Sequence, residues 1–439
     1  LYLASNLIFK KVDDFYLVLN PEAPNLMVID SSGKEIMEFC DGKTMDEVES
    51  YIRKKFDYEK EDVKSFLESL IASGFANFGE PPKFTKTRTS LPKSLIVHLT
   101  QACNLRCKHC YFYSGVPLED ELSDDEFLNL AREFKDLEIK SLSITGGEPF
   151  LRKELLFKFI KEAKRQEVER ITMSTNGTLI TKEDALFLSE YDVSVGVSLD
   201  GPTEEINDYI RGKGVFKKAV RAIKTLVTAG VQTTIGVTLM KPNITKIKEM
   251  MYLAKELDTG VYLNTVRIEG RARQYKEELS VSPKEEINAL KEAWRLSREL
   301  GVRTTVEQLW LSLKELKPKE LCGAGRLSLC VASNGDVYPC DALYGVEALK
   351  AGNLRERPLR EIWEKSSVLK KFHNLSLDKI DGCKDCELKY ICGGGCLADN
   401  YLFTGSFLKA SPLQCKVFKE VYWYMLCELA REMWKSYNE

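Results

Sequence analysis

The sequence predicts an α/β protein: a partial (β/α)6 barrel, preceded by a winged-helix-like α+β domain and followed by a cysteine-rich domain. Three observations predict it. Between 95 and 310, six short β-rich runs alternate with longer amphipathic stretches. The first 80 residues give three strand-like runs and then three helical ones. Nine of the thirteen cysteines fall after residue 320. At 439 residues and 44% hydrophobic, the chain can build about two to four domains with real cores.

Residues 1–80 come first. Leu7–Val12, Phe15–Leu19 and Leu26–Ile29 read as strands, the last two separated by Asn20-Pro21-Glu-Ala-Pro24, a turn sequence. Apolar residues then recur at helical spacing: Ile36, Phe39 and Cys40; Val48, Ile52 and Phe56; Val63, Phe66, Leu67, Leu70 and Ile71. Cys40 is expected in the core, where a free cysteine packs as a small hydrophobe. Residues 81–94 carry three prolines and no periodicity, which predicts a linker.

From 95 to 310 strands are expected at 95–99, 141–145, 171–174, 193–199, 233–239 and 261–268, with amphipathic stretches such as 127–137 and 216–229 between them. Six such units predict a parallel sheet with helices outside it, curved by right-handed crossovers. Ligands of such sheets collect at the carboxyl ends of the strands. Residues 311–439 form the third domain, with cysteine-rich loops closed by a helix from about Pro412 to Tyr437.

Composition excludes some functions. Lys plus Arg is 64 and Asp plus Glu 66, a net charge of −2, which gives no electrostatic case for nucleic acid. No run of eighteen apolar residues occurs and the first residues are strand-like, so neither a membrane span nor a secretory signal is expected, and a cytoplasmic location is. Cysteines in a reducing compartment read as metal ligands.

The most specific motif is Cys103-Asn-Leu-Arg-Cys107-Lys-His-Cys110. A four-iron cluster held by three thiolates keeps one iron free to bind a small molecule. A zinc knuckle is the alternative, but such sites usually close with four ligands, and none follows Cys110 nearby. At the end of an expected strand, this run resembles the signature of the radical S-adenosylmethionine (radical SAM) enzymes. The resemblance implies that SAM chelates the free iron and is split to a deoxyadenosyl radical. It also implies that His109 packs near the adenine. In Gly146-Gly147-Glu148-Pro149 the glycines would let the backbone approach a ligand and Glu148 would meet the ammonium of SAM. Asn176, Ser198 and Asp200, at the ends of the third and fourth strands, match SAM-contacting positions; each is equally a turn former. Arg211 would hold the SAM carboxylate if its loop folds back, and is otherwise a solvated arginine.

The later cysteines read Cys322-x7-Cys330-x9-Cys340, Cys383-x2-Cys386-x5-Cys392-x3-Cys396 and Cys415, with Gly335 five positions before Cys340. This resembles the SPASM extension, an iron-sulfur domain. It implies one auxiliary cluster on Cys322, Cys330, Cys340 and Cys396 and another on Cys383, Cys386, Cys392 and Cys415, making three [4Fe-4S] clusters in all. Cys330 is the ligand whose spacing varies among relatives; without it the first auxiliary cluster would have an open iron. Two all-cysteine zinc sites are the alternative. Asp341, directly after Cys340, resembles the proton acceptor of the anaerobic sulfatase-maturating enzymes and would be the catalytic residue; an ordinary surface aspartate is the other reading.

The element order of residues 1–80 resembles PqqD-like peptide-recognition domains, which take a leader peptide as an added strand. A winged-helix DNA reader has a similar layout, yet across 41–70 nine acidic residues oppose six basic ones, the wrong sign for phosphate. A docking domain with no ligand of its own is the third possibility. Together these readings imply a radical SAM maturase of a peptide or protein, reduced by a partner such as ferredoxin or flavodoxin. The alternative is a maturase of a small cofactor, a haem precursor or metal-binding pterin. A non-catalytic iron-sulfur module would have no use for the Gly-Gly-Glu-Pro turn.

Overall fold

The computed structural model describes residues 1–4, 6–56, 58–77 and 91–438. Most of the expected linker, residues 81–90, lies outside them. The chain divides into two compact units. One takes the described part of residues 1–87 with Leu309–Cys322 and the described part of 376–439; the other takes the described part of 88–308 with Gly323–Leu375.

In the first unit β1 (Tyr2–Leu3) is followed by β2 (Ile8–Val12), β3 (Phe15–Asn20) and β4 (Asn25–Ile29), then by α1 (Ser31–Cys40), α2 (Met45–Phe56) and α3 (Lys60–Ala72), and β5 (Ala76–Asn77) returns to pair with β1. Strands β2, β3 and β4 form an antiparallel sheet with β3 in the middle. Leu17, Val18 and Leu19 of β3 are wholly buried, as a central strand demands. The β3–β4 turn is anchored by its asparagines: the Asn20 and Asn25 side-chain amides donate to the carbonyls of Gly74 and Ser73, just past α3. Asp30 caps α1 by accepting from the Gly33 N–H at 2.6 Å. The core gathers Ile36, Met37, Val48, Ile52, Leu67 and Cys40, and burial pushes the Cys40 thiol up to about 12. The C-terminal helix Pro412–Asn438 belongs to this unit. Its Trp434 stacks on Phe15 of β3 with ring centroids 4.9 Å apart, and Arg431 pairs with Asp13 at 2.9 Å.

The second unit is built on a nine-stranded sheet. Strands β6 (Ser94–His98), β7 (Ser141–Thr145), β8 (Arg170–Thr175), β9 (Val193–Ser198), β10 (Thr233–Leu239) and β11 (Gly260–Thr265) lie side by side in chain order, all parallel. Such an order follows from repeated right-handed crossovers. On the far side of β6 the sheet adds β12 (Ser328–Val331), parallel to it, then β13 (Asp336–Tyr338), antiparallel to β12, and β14 (Gly352–Asn353), antiparallel to β13. The sheet therefore takes strands from the expected third domain. One face carries buried apolar residues, such as Leu142, Ile144, Val195 and Val197; the other carries small polar ones. The run expected at 261–268 ends at Thr265, and a 3-10 turn, Gly270–Tyr275, follows. The helix expected over 127–137 spans Asp124–Arg132, because Ser123 and Glu126 form a capping box that starts it early.

Candidate active site

The Cys103–Cys110 run leaves the carboxyl end of β6 as a loop, and backbone carbonyls hold it in place. The guanidinium of Arg271, a buried residue, donates to the carbonyls of Cys107 at 3.0 Å and Ser114 at 2.7 Å, and the Arg271 N–H donates to the Cys110 carbonyl at 2.9 Å. The side chain of Gln101 donates to the Phe112 carbonyl at 2.6 Å. The sulfurs in turn receive N–H groups, Leu105 N–H on Cys103 and Ser114 N–H on Cys110, each at 3.4 Å. The thiols lie close enough to sense one another: burial first, then the charges of Glu148 and Cys110, raise Cys103, and burial pushes Cys107 up to about 11 against the pull of Arg211. A thiol that binds metal loses its proton on doing so. Among the described residues no three of His, Cys, Asp and Glu converge as ligands of a single ion. Four thiolates at 2.3 Å from one zinc would stand about 3.8 Å apart; a four-iron cube spreads its ligands wider.

Gly146 and Gly147 are required by a neighbour within the chain. A Cβ on Gly147 would lie 1.9 Å from the Ala102 carbonyl oxygen, and one on Gly146, whose φ is +135°, 2.5 Å from that of Thr100. The turn is bonded there through Gly147 N–H to Thr100 and Glu148 N–H to Ala102, so it seats the cysteine loop on β7. Glu148 is fully buried. It accepts from the Thr175 hydroxyl at 2.7 Å and from the N–H groups of Asn176 at 2.8 Å and Phe150 at 3.2 Å, while burial raises its carboxyl above the usual range. Asn176 bridges to the loop, its amide donating to Asn104 at 2.8 Å and lying 3.9 Å from the Cys103 sulfur. Ser198 is half-buried at the end of β9.

Arg211 stands at the last turn of the helix Glu204–Arg211, where sequence reasoning expected a loop. It is 8% exposed, its Nε lies 2.7 Å from Asp200 Oδ2, and its Nη1 lies 3.9 Å from the Cys107 sulfur. The solvated-arginine alternative is therefore set aside. Asp200, fully buried, also accepts from the Thr238 N–H at 2.8 Å and lies 3.5 Å from His109 Nε2. Burial, reinforced by the two nearby arginines and opposed by Asp200, takes His109 down to about 4, so its imidazole is neutral. Its buried Nδ1 has no hydrogen-bond partner, which leaves a place for a ligand atom. A neutral orphan imidazole, a buried carboxylate and a buried guanidinium around three thiols fit a cluster that binds a zwitterionic amino acid.

Asp341 is not an ordinary surface residue. It accepts from the Tyr111 hydroxyl at 3.1 Å, and burial together with its charge raises the hydroxyls of Tyr111 and Tyr262. Cys330, on β12, is wholly buried, and burial followed by the charges of Asp341 and Cys340 raises its thiol strongly. Cys322 and Cys396 belong to the first unit, Cys330 and Cys340 to the second. Cys383, Cys386, Cys392 and Cys415 all belong to the first and line one cavity with Gly394, Gly395 and Phe418. Burial and the other three thiols push Cys383 up to about 12. Sequence reasoning passed over Arg271, Asn104 and Tyr111. Tyr111 adjoins the cysteine run, whereas Arg271 lies 161 residues from Cys110 and only the fold brings it there.

The sequence was compared with known proteins. Residues 97–254 match the radical SAM superfamily and 322–387 an iron-sulfur cluster-binding domain, SPASM. The mycofactocin maturase MftC of Mycobacterium tuberculosis is 30% identical over 332 residues, covering 74% of this chain and 83% of that protein. The AdoMet-dependent heme synthase of Methanosarcina barkeri is 30% identical over 352 residues, covering 74% of this chain and 96% of that protein. A solved structure, Streptococcus suis SuiB bound to precursor peptide SuiA, superposes with a TM-score of 0.61 over 94% of this chain and 99% of that one; at 16% identity this is a likeness of fold. With its cysteine triad, its Gly-Gly-Glu turn and these matches, the chain belongs to the radical SAM superfamily, as an enzyme with a SPASM iron-sulfur domain.

Proposed function

We propose that this enzyme is a maturase that modifies a peptide or protein. One observation carries the reading. The described N-terminal residues build a three-stranded sheet whose outer strands, β2 and β4, have no further strand beside them. An unpaired edge offers its N–H and C=O groups to an added strand. The likeness to SuiB, which leaves out only about 6% of the chain, must include most of this region, and that structure holds a precursor peptide. The resemblance to MftC, a maturase by name, supports the same reading. The domains would run 1–80 for peptide recognition, 81–94 as linker, 95–310 for the radical SAM core and 311–439 for SPASM.

In this reading Cys103, Cys107 and Cys110 hold the cluster with the free iron, and the eight later cysteines hold two more four-iron clusters. His109, Gly146, Gly147, Glu148, Asn176, Ser198 and Arg211 border SAM. Cluster and SAM together supply an electron and a hydrogen-abstracting deoxyadenosyl radical. Asp341, held by the Tyr111 hydroxyl, would take the proton as the substrate radical left by hydrogen abstraction is oxidised, and the adjacent auxiliary cluster would take the electron. A ferredoxin or flavodoxin supplies the electron. The heme synthase relative favours a second reading, a maturase of a small cofactor.

The test is made on the sheet edges. Deleting residues 1–80 would strip Trp434 of its partner Phe15 and so disturb the helix that carries Cys415. Single prolines are cleaner, because each removes one N–H from a strand. Since N–H groups alternate in direction, successive positions are paired: Phe9 and Lys10 on β2, Met27 and Val28 on β4. One proline should raise KM for a full-length peptide encoded beside this gene while leaving KM for its core fragment unmoved. Equal loss with both would sink the peptide-recognition role. Turnover of a haem precursor or pterin, and of no peptide, would favour the second reading.

A further inference from the structure

Four thiols reach one cavity from two stretches of chain. Cys383, Cys386 and Cys392 come from the cysteine-rich loops and Cys415 from the start of the helix Pro412–Asn438, and all four belong to the first unit. These residues fit a cluster of iron and sulfide. Burial pushes the Cys392 thiol up to about 11, while hydrogen bonds from the N–H groups of Gly395 and Gly394 oppose it. Hydrogen bonds to the sulfurs and the net charge around a cluster both set its reduction potential. The cations of this site therefore bear on what it does.

Three lysines reach it, each from a different segment. Lys419 lines the cavity from the long helix; burial raises the Cys383 and Cys415 thiols, and the Lys419 charge opposes it in both. Lys389 lines it from the short helix Lys389–Cys392 and pairs with Asp378 at 2.5 Å. Lys319 stands over the Tyr422 ring at 5.5 Å, where burial lowers it and the Cys392 thiolate opposes the burial. Of the acidic groups in the same loops, Asp381 and Asp385 are exposed and neither lines the cavity. Lys419 is placed by a carboxylate that is itself placed. Glu387, next to Cys386, lies 3.9 Å from the Lys419 Nζ and accepts from the Trp423 indole N–H at 3.4 Å, while the Lys10 ammonium of β2 stands 4.3 Å over the same indole ring. A lysine on a free stem spreads its charge over many rotamers. This one is kept beside the thiols.

Resting on the reading that Cys383, Cys386, Cys392 and Cys415 hold a four-iron cluster, we propose that Lys419 sets the reduction potential of this site, with Glu387, held by Trp423, as its counter-charge. A cluster that accepts one electron gains one negative charge, and a fixed ammonium favours that state. The Glu387 carboxylate opposes it in part. A site biased in this way is suited to accept electrons.

The test is a potentiometric titration of the reconstituted full-length holoenzyme, followed by electron paramagnetic resonance. The wave that Cys386→Ala abolishes identifies this cluster. At a fixed potential Lys419→Gln should lower its ratio of reduced to oxidised form about threefold to tenfold, a fall of up to about 59 mV for a one-electron couple. Lys419→Arg keeps the charge and should leave the ratio within about twofold of the unmodified protein. Glu387→Gln should raise the ratio, because a negative charge is lost and Lys419 is left with the thiolates alone. Loss of packing would not move the two variants in opposite directions. An unchanged wave in Lys419→Gln, or shifts of the same sign in Lys419→Gln and Glu387→Gln, would overturn the proposal and leave the cluster assignment standing. If Cys386→Ala removed no wave, the proposal and the cluster assignment would fall together.

Discussion

Replacing Arg271 should loosen the cysteine loop without removing any cysteine. The guanidinium makes two hydrogen bonds to loop carbonyls, at 3.0 and 2.7 Å, and Arg271 is 9% exposed, so solvent screens them little. Hydrogen bonds to a charged group contribute about 1.5–3 kcal/mol each. Arg271→Met loses both and leaves the Cys107 and Ser114 carbonyls short of a donor, while the backbone bond from Arg271 N–H to Cys110 survives. A cost of about 3 kcal/mol follows, at the low end of the sum. In a unit of the size that carries Arg271 about 2 °C accompany each kcal/mol, so the melting temperature of that unit in the metal-free protein should fall by about 6 °C. Lysine keeps the charge but cannot span two carbonyls in one plane, and Arg271→Lys should fall between. Differential scanning calorimetry checks the stability, and iron analysis after anaerobic reconstitution checks the site, which should lose iron before the C-terminal cysteines do. An Arg271→Met protein with unchanged melting and full iron would show that the loop is set by its own turns and that the arginine is incidental.

Four further outcomes are expected. Reconstituted protein should hold about twelve irons, and Cys103→Ala, Cys107→Ala and Cys110→Ala together should remove about a third of them; zinc at the C-terminal cysteines would defeat the auxiliary-cluster assignment. The same triple variant should no longer cleave SAM to deoxyadenosine and methionine, whereas Cys386→Ala should chiefly impair turnover of the true substrate, and surviving cleavage in the triple variant would misplace the site. Gly147→Ala should yield insoluble or cluster-free protein, since its Cβ would lie 1.9 Å from the Ala102 carbonyl oxygen, and a folded, iron-replete variant would contradict this packing. Asp341→Asn should slow product formation by about 10²- to 10⁴-fold and Tyr111→Phe by less, as measured by product mass against deoxyadenosine; equal loss of deoxyadenosine would assign Asp341 to SAM and not to the proton.

Much of the second unit was legible because its signals are local. The strands at 95–99, 141–145 and 233–239 occur within a residue of their expected bounds, since short apolar or alternating runs bounded by turns report directly on burial. The cysteine triad was legible for the same reason: its ligands share one loop. What escaped was of two kinds. Arg271 acts through space on a loop whose neighbourhood no spacing reports; Asp200 and Arg211 are each legible as positions near SAM, but nothing in either segment shows the ion pair between them. The polar face is a different omission, because its signal was present. Ser141-Leu-Ser-Ile-Thr145 and Val193-Ser-Val-Gly-Val-Ser198 alternate strictly, and a strand buried by helices on both faces would be apolar throughout. Strict alternation in a parallel sheet means that one face is left for something other than the protein's own core. Read that way, the period-two pattern of these strands points to a ligand face as directly as the three cysteines point to a metal.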